Sequence, residues 1–497
     1  MITLNQILKD PLKFRGSFVN GQWSQSHITG EWKVKSPANH DWILPDLSYD
    51  NDEVEKAVDA AKNAWPLWRS LSMDERLNYL KNFAAELDKR KDTLGRIIAI
   101  ETGKPFDEAL AEAGLLSAKI NVTIQYGLEL VKSQVIEVDA KTRGEIHFKA
   151  KGILLIIGPF NFPVHLSHGH IAPALLMGNV CILKPSEKTP YSAQVYMEAA
   201  EAAGIPKGVL QLIHGPGDMA TRLVRHTEIN GVIATCSYEV GAKIQKTLAE
   251  SPEKIVALEM GGKNAALIWE NSNIDELSDA LIRSCFLTTG QRCTALSRVY
   301  VQQGILGDLV QSFHQKAKEL VVSHPFAENP KPFMGPLISE QALEKYLRYS
   351  GIAASEGAES VMRPKTLQGT TRLGEQLPIG NYVSPSIQIV KEFNPKSNYQ
   401  NHEIFGPDVF FCPINSLEEG VRAVNSSYYG LVASVFCPKE KFSDIAEQLE
   451  VGLVYHNRPT VGASARLPFG GWKRSGNHRP AGLFAIYACT QAQARVC

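Results

Sequence analysis

A cysteine placed for covalent chemistry stands at position 293, three residues after Gly290 and directly after Arg292. A neighbouring guanidinium lowers a thiol pKa from its free value of about 8.5 and raises the thiolate fraction, so Cys293 is expected to be a reactive nucleophile. Standing alone, a cysteine is more often a small buried hydrophobe. Glu259 heads the run Met260-Gly261-Gly262-Lys263-Asn264, a carboxylate beside two glycines where another backbone or a ligand can approach closely. Asn161 holds a side-chain amide between Pro159 and Pro163, and Lys184 and Glu187 put a cation and a carboxylate three residues apart. In isolation each of these reads as a rigid turn or a plain surface loop.

The elements that must carry these residues give them a common address. Apolar runs at Ile153–Ile157, Val180–Leu183, Val209–Ile213, Val232–Ala234 and Val256–Leu258 alternate with helical stretches such as Tyr191–Ala203 and Val240–Glu250. That alternation predicts a parallel sheet covered on both faces, whose ligands bind at the carboxyl ends of the strands. Asn161, Lys184 and Glu259 all follow such runs, as does Cys236-Ser237. Before this region, Val54, Val58, Ala61 and Trp65 define a helix face expected to stop at Pro66. Ser72 and Glu75 form a capping box opening a helix that buries Leu77, Leu80, Phe83 and Leu87. A second alternating region runs from 262 to about 445, and the stretch from Glu129 to Lys149 and the last 25 residues read as strand-rich arms. The first 50 residues read as short strands and turns.

Composition sets the class. With 497 residues, 44% of them hydrophobic, more than one core is expected. The 52 basic and 52 acidic residues cancel, which gives no electrostatic reason for nucleic acid or an anionic membrane as partner. The amino-terminal stretch lacks the layout of a secretory signal, and the most apolar run, Gly152–Gly158, is too short to span a bilayer. Eight scattered cysteines (181, 236, 285, 293, 412, 437, 489 and 497) form no CxxC pair and no zinc spacing. Reduced thiols, no bound metal and a cytoplasmic location are expected.

In order and spacing these loops resemble the NAD(P)-dependent aldehyde dehydrogenase superfamily. Glu259 and Cys293 lie 34 residues apart, Asn161 and Lys184 lie 23 apart, and the likeness continues through Glu403-Ile-Phe405-Gly-Pro407 and Pro468-Phe-Gly-Gly471. The resemblance implies an α/β fold: a Rossmann-type cofactor domain (1–128 and 150–261), an α/β catalytic domain (262–445) and small β oligomerisation arms (129–149 and 472–497). It implies that Cys293 attacks an aldehyde, that Asn161 and the Cys293 N–H hold the oxyanion, and that Glu259 activates the water that releases the acid. It assigns the cofactor to Phe160, Lys184, Glu187, the segment Cys236-Ser237-Tyr238-Glu239-Val240-Gly241, Glu403 and Phe405. A carboxylate at Glu187 should repel a 2′-phosphate, so NAD is expected. Cys236 departs from the family, which usually has Gly there. A homodimer or homotetramer is also implied.

Within the superfamily the chain most resembles the N-succinylglutamate 5-semialdehyde dehydrogenases. The likeness rests on His165-Leu166, Gly169-His-Ile171, Asn457-Arg-Pro-Thr460 and above all Ser475-Gly-Asn-His-Arg-Pro480. A substrate with two carboxylates makes Arg458 and His165 candidates for pocket contacts, each of which has an equally good structural reading. Val164, Ser167-His168 and Leu296-Ser297 depart from the subgroup. Other readings are a different carboxylated semialdehyde such as that of succinate or glutamate, an acyl-CoA-forming enzyme, and a non-enzymatic protein of this fold.

Overall fold

The computed structural model describes residues 3–8, 11–24, 27–270, 273–370 and 376–496. A hairpin of Ser17–Val19 (β1) and Gln22–Ser24 (β2) edges a sheet continued by Ile153–Ile157 (β3), Val180–Lys184 (β4), Leu210–Leu212 (β5), Gly231–Thr235 (β6) and Ile255–Glu259 (β7). Their spatial order is β7-β6-β3-β4-β5-β1-β2, with β3 to β7 mutually parallel. All residues of β4 and β6 are buried, which is why these strands read as unbroken apolar runs. Each of the five expected strands lies within one residue of an observed strand at both ends. The chain steps outward from β3 to β5, then returns to lay β6 on the other side of β3. The loops leaving β3 and β6 therefore diverge, and the crevice between them is where such sheets take ligands.

A second sheet is built from Asn264–Ile268 (β8), Leu296–Gln302 (β9), Glu359–Met362 (β10), Ser386–Ile389 (β11), Asp408–Ile414 (β12), Val432–Phe436 (β13) and Leu453–His456 (β14), in the order β10-β11-β12-β9-β8-β13-β14. Only β10, on the edge, runs antiparallel to its neighbour. Four residues, Met260–Lys263, separate the end of β7 from the start of β8, so the carboxyl end of one sheet abuts the amino end of the other. Asn264 fastens this junction. Its Nδ2 donates to the carbonyls of Cys293 (2.7 Å) and Ala295 (2.8 Å), and its Oδ1 accepts from the Val432 N–H (3.2 Å).

The two stretches expected as arms pair with each other. Gln134–Glu137, Arg143–Ala150 and Thr490–Val496 form one antiparallel sheet, with Thr490 opposite Ala150 and Val496 opposite Gly144. Glu129 is not in a strand: helix continues through Leu128–Leu130 before the first of these strands.

The helix expected to stop at Pro66 runs on to Ser70. Pro66 lies on the exposed side, where its missing N–H costs least, and the turn beyond it is held by Trp68. That indole is buried and donates to the Leu175 carbonyl at 3.1 Å. The capping box of Ser72 and Glu75 is formed, and its helix buries Leu80, Phe83 and Leu87, while Leu77 is half-buried. The seven described cysteines are free thiols, and no helix of the described residues is long and apolar enough to cross a membrane.

Replacing Asn264 with Ala leaves two carbonyls and one N–H at the junction without their partner. A loss of about 2–4 kcal/mol is expected in denaturant unfolding, together with faster amide exchange at the start of β9.

Candidate active site

A cavity of about 710 Å³ opens where the β3 and β6 loops diverge. Its walls include Phe160, Asn161, Lys184, Glu187, Cys236, Ser237, Val240, Cys293, Glu403 and Phe405, all expected from sequence to serve one site. Such a volume suits an extended, dinucleotide-sized ligand. At one end, Val240 and Ile244 of the helix Tyr238–Thr247 face Ala220 and Val224 of the helix Gly217–Arg225, an apolar slot fit for a planar base. Ser237 caps the first of these helices, accepting from the Val240 N–H, and that N-terminus favours an anion. Lys184 is buried, with Nζ donating to the Pro185 carbonyl at 2.6 Å, and burial pulls its ammonium down to about 8.

Tyr238, Glu239 and Gly241, expected to contact the ligand, do not line the cavity. Tyr238 lies under the Arg474 guanidinium at 4.7 Å, and Glu239 faces His402 and Lys345. A Cβ on Gly241 would lie 2.3 Å from the Met260 sulfur, so its role is close helix-to-strand packing. Helical geometry explains all three: with Ser237 and Val240 turned to the cavity, their neighbours must turn away. Cys236 does line it, and its N–H ties β6 to β7 by donating to the Glu259 carbonyl at 3.0 Å.

At the other end Cys293 opens to the cavity beside Asn161, whose Nδ2 donates to the Gln291 carbonyl at 2.9 Å. The Cys293 N–H has no acceptor among the described residues. The loop before it is strained: Thr288 and Thr289 adopt φ of 55° and 57°, rare for β-branched residues. Glu108 holds that turn, accepting from the Thr288 N–H (3.2 Å), its hydroxyl (2.6 Å) and Arg292 (2.7 Å). Arg292 is thereby committed to Glu108 and to Thr288 Oγ1. Arg292 still pulls the Cys293 thiol down, but the expected net lowering of its pKa is overturned. Burial first, then the carboxylates Glu259 and Glu403, push the thiol up, and the opposing Thr294 N–H and Arg292 are weaker.

Glu259 is the strongest charged neighbour of that thiol, yet its own carboxyl does not line the cavity. It is buried behind Cys236, and neither oxygen has a hydrogen-bond partner among the described residues. Burial therefore drives its pKa well above the carboxylate range, and only Arg479 opposes. Gly470 lies between the two: a Cβ there would stand 3.4 Å from Glu259 Oε2 and 3.4 Å from Cδ of Arg479. The backbone of 475–477 pairs with β7 through Met260 N–H to Ser475 O (2.9 Å) and Asn477 N–H to Leu258 O (3.0 Å), fixing Arg479 beside the carboxyl. Glu403 accepts from the Gly262 N–H at 2.9 Å, and burial pushes it up to about 7. Phe405, at φ 61°, meets Phe160 edge to face at 5.8 Å across the cavity.

Several site residues escaped the sequence reading. Buried Lys104 holds the Asn161 carbonyl at 2.7 Å and pairs with Glu112 at 2.7 Å; Glu108 steadies the nucleophile loop; Lys188 and Lys345 line the cavity. Lys104 lies in the three-residue link before the helix Phe106–Val122 and Glu108 in its first turn, with no motif to single them out. Arg479 lies in the Ser475–Pro480 stretch, where the sequence alone points to no role for it beside Glu259. Of the two expected substrate contacts, exposed Arg458 lies 5.3 Å over the ring of Tyr455, whose buried hydroxyl lacks a partner and lies near Cys293. His165 is neutral, its pKa driven well below 6.5 by burial and then by Lys119, His168 and Lys104. It can supply a hydrogen bond but no positive charge.

The sequence profile of the aldehyde dehydrogenase family matches residues 23–494. The N-succinylglutamate 5-semialdehyde dehydrogenase of Acinetobacter baylyi is 34% identical over 474 residues, covering 95% of this chain and 94% of its own. Among solved structures, HpcC from Thermus thermophilus superposes with a TM-score of 0.92 at 29% identity, covering 99% of this chain and 94% of its own. A 1-pyrroline-5-carboxylate dehydrogenase from Thermus, solved with bound NAD, gives 0.88 at 26%, covering 97% and 92%. The family match spans nearly the whole of the cavity-forming architecture, and the chain belongs to the aldehyde dehydrogenase family.

Proposed function

We propose that this chain oxidises N-succinyl-L-glutamate 5-semialdehyde to N-succinyl-L-glutamate with NAD, through a thiohemiacetal and then a thioester on Cys293. The observation that carries this reading is that Cys293 and Asn161 line one end of a dinucleotide-sized cavity, with the buried Glu259 carboxyl as the strongest charged neighbour of the thiol. The substrate is supported by the name of the relative from Acinetobacter baylyi and by Arg458 near the Tyr455 side of the nucleophile.

The cavity residues fit NAD. The slot between the two helices takes the adenine, and Lys184 and Glu187 take its ribose hydroxyls. Ser237 and the helix it caps face the pyrophosphate. Glu403 and Phe405 hold the end nearest Cys293. When bound there, the nicotinamide accepts a hydride.

The chain's own residues do the rest. The Cys293 thiol gives up its proton to solvent water in the open cavity as sulfur bonds to the aldehyde carbon, and the carbonyl oxygen becomes an oxyanion held by Asn161 Nδ2 and the free Cys293 N–H. Loss of hydride from that carbon leaves the thioester. In its ionised form Glu259 then takes a proton from water, the resulting hydroxide adds to the thioester carbon, and the C–S bond breaks to release the acid and return the Cys293 thiolate, which regains a proton. Because the Glu259 carboxyl has no hydrogen bond to break, turning it toward Cys293 costs little. A carboxyl placed to activate water favours acid release over transfer to CoA. We further propose that the paired arms, which expose Val135, Ile136, Val138 and Val496, join copies of the chain.

Across a panel of aldehydes, kcat/KM measured at the NADH band should be highest for succinylglutamate semialdehyde, with NADP a poor replacement for NAD. A higher value for succinate or glutamate semialdehyde would reassign the substrate.

The raised thiol pKa also predicts a pH dependence. A group whose pKa lies above the working pH is mostly protonated, so iodoacetamide labelling of Cys293 in the free protein should climb about tenfold per pH unit between 7 and 9. A rate already flat at pH 7 would show a standing thiolate instead.

A further inference from the structure

One cation near the site lacks a counterion. Lys119, on the helix Phe106–Val122, donates to the His165 carbonyl at 2.9 Å, and among the described residues no carboxylate lies within 4 Å of its Nζ. The acid that acts on it, Glu112, is already paired with Lys104, with side-chain exposures of 0% and 1%. The adjacent Glu108 is taken by Arg292. Three cations thus face two carboxylates. Burial pulls the Lys119 ammonium down to about 8, so it stays largely protonated at neutral pH. A charge that is only partly exposed and has no counterion is costly, and a stable fold keeps one where something else supplies the partner.

The surroundings are shaped for that partner. A Cβ on Gly169 would fall 2.5 Å from Lys119 Nζ, so the missing side chain is what gives the ammonium its place. Nδ1 of His165 is buried with no partner. By contrast, His168 has both ring nitrogens engaged, by Tyr196 (2.9 Å) and the Leu116 carbonyl (3.0 Å). Lys119, His165 and Gly169 each retain partial exposure, yet none lines the cofactor cavity. The turn that follows Lys119 is a π-helix, Thr123–Gly127, a local widening often found at functional sites.

The position relative to the chemistry is set by Phe162, the residue after Asn161. Its ring lies 3.9 Å from Lys104 Nζ, 5.2 Å from the Arg292 guanidinium and 6.2 Å from the His165 ring. His165 therefore stands one side chain away from the nucleophile loop, with Lys119 bonded to its carbonyl, and both lie outside the cavity assigned to the cofactor. We propose that Lys119, helped by a hydrogen bond from His165, binds a carboxylate of the aldehyde substrate and so selects acidic aldehydes over neutral ones. This rests on the reading that the substrate is a carboxylated aldehyde; it does not depend on which one.

The test compares kcat/KM for succinylglutamate semialdehyde, succinate semialdehyde and neutral hexanal in the full chain and in K119M and K119R. In K119M the values for the acidic aldehydes should fall roughly 10- to 100-fold, mainly through KM, with hexanal unchanged or improved. K119R, which keeps the charge, should retain most of the preference for acids. An equal loss on all three aldehydes in K119M would assign Lys119 a structural role, and an unchanged preference would remove it from recognition; either overturns the proposal. If K119M fails to fold, G169A tests the same point by displacing the ammonium, with the same selective loss expected. Should the wild type favour succinate semialdehyde and lose that preference in K119M, the assigned substrate fails while the carboxylate site stands. A wild type that prefers hexanal sinks both.

Discussion

Four residues of chain, Met260 to Lys263, are the only covalent link between the last strand of one sheet and the first strand of the next. That shortness forces the carboxyl end of the first sheet, where a ligand crevice must lie, against the amino end of the second. Asn264 then converts proximity into registry by binding the Cys293 and Ala295 carbonyls with one end of its amide and the Val432 N–H with the other. Glu259 ends one strand, Cys293 shortly precedes another, and both positions follow from this one junction. Even the glycines serve it: a Cβ on Gly261 would fall 2.0 Å from Glu403 Oε2, so a side chain there would evict a carboxylate from the site.

Around the junction the protein keeps arrangements that cost free energy. Thr288, Thr289 and Phe405 hold left-handed backbone, at roughly 1–3 kcal/mol each. Glu259 is buried without a partner, and Lys119 without a counterion. Each cost is matched by a nearby constraint: Glu108 grips the Thr288 turn, the 475–477 backbone pairs with β7 beside Arg479, and Lys104 with Glu112 anchors the Asn161 loop. Rigid surroundings let reactive groups remain unsatisfied until a ligand arrives.

Much of this was legible in the sequence because strands buried on both faces leave continuous apolar runs, and the residues after such runs have few places to go. The five strands and the loops after them, with Asn161, Lys184, Glu187 and Cys236, could be found that way, whereas Glu403 and Phe405 came only through the resemblance to the aldehyde dehydrogenases. What escaped was tertiary. Arg292 stands next to Cys293 in sequence, but its charge is spent on Glu108, 184 residues earlier in the chain, and burial decides the sign of the thiol shift. That His165 is neutral follows from its burial beside Lys119, which nothing in the local sequence reveals. Pro66 looked like a helix stop, but the buried Trp68 indole just beyond it outweighs one missing hydrogen bond. Tyr238, Glu239 and Gly241 fell in a motif whose helix turns alternate residues away from the ligand.

The proposed chemistry requires the sulfur of Cys293 to carry the acyl group and the carboxyl of Glu259 to release it. The most direct measurement mixes E259Q with NAD and succinylglutamate semialdehyde, quenches in acid and maps the modified peptide by mass. One equivalent of NADH should form, with the matching acyl mass on the peptide that contains Cys293. NADH without an adduct, or an adduct on another residue, would contradict it.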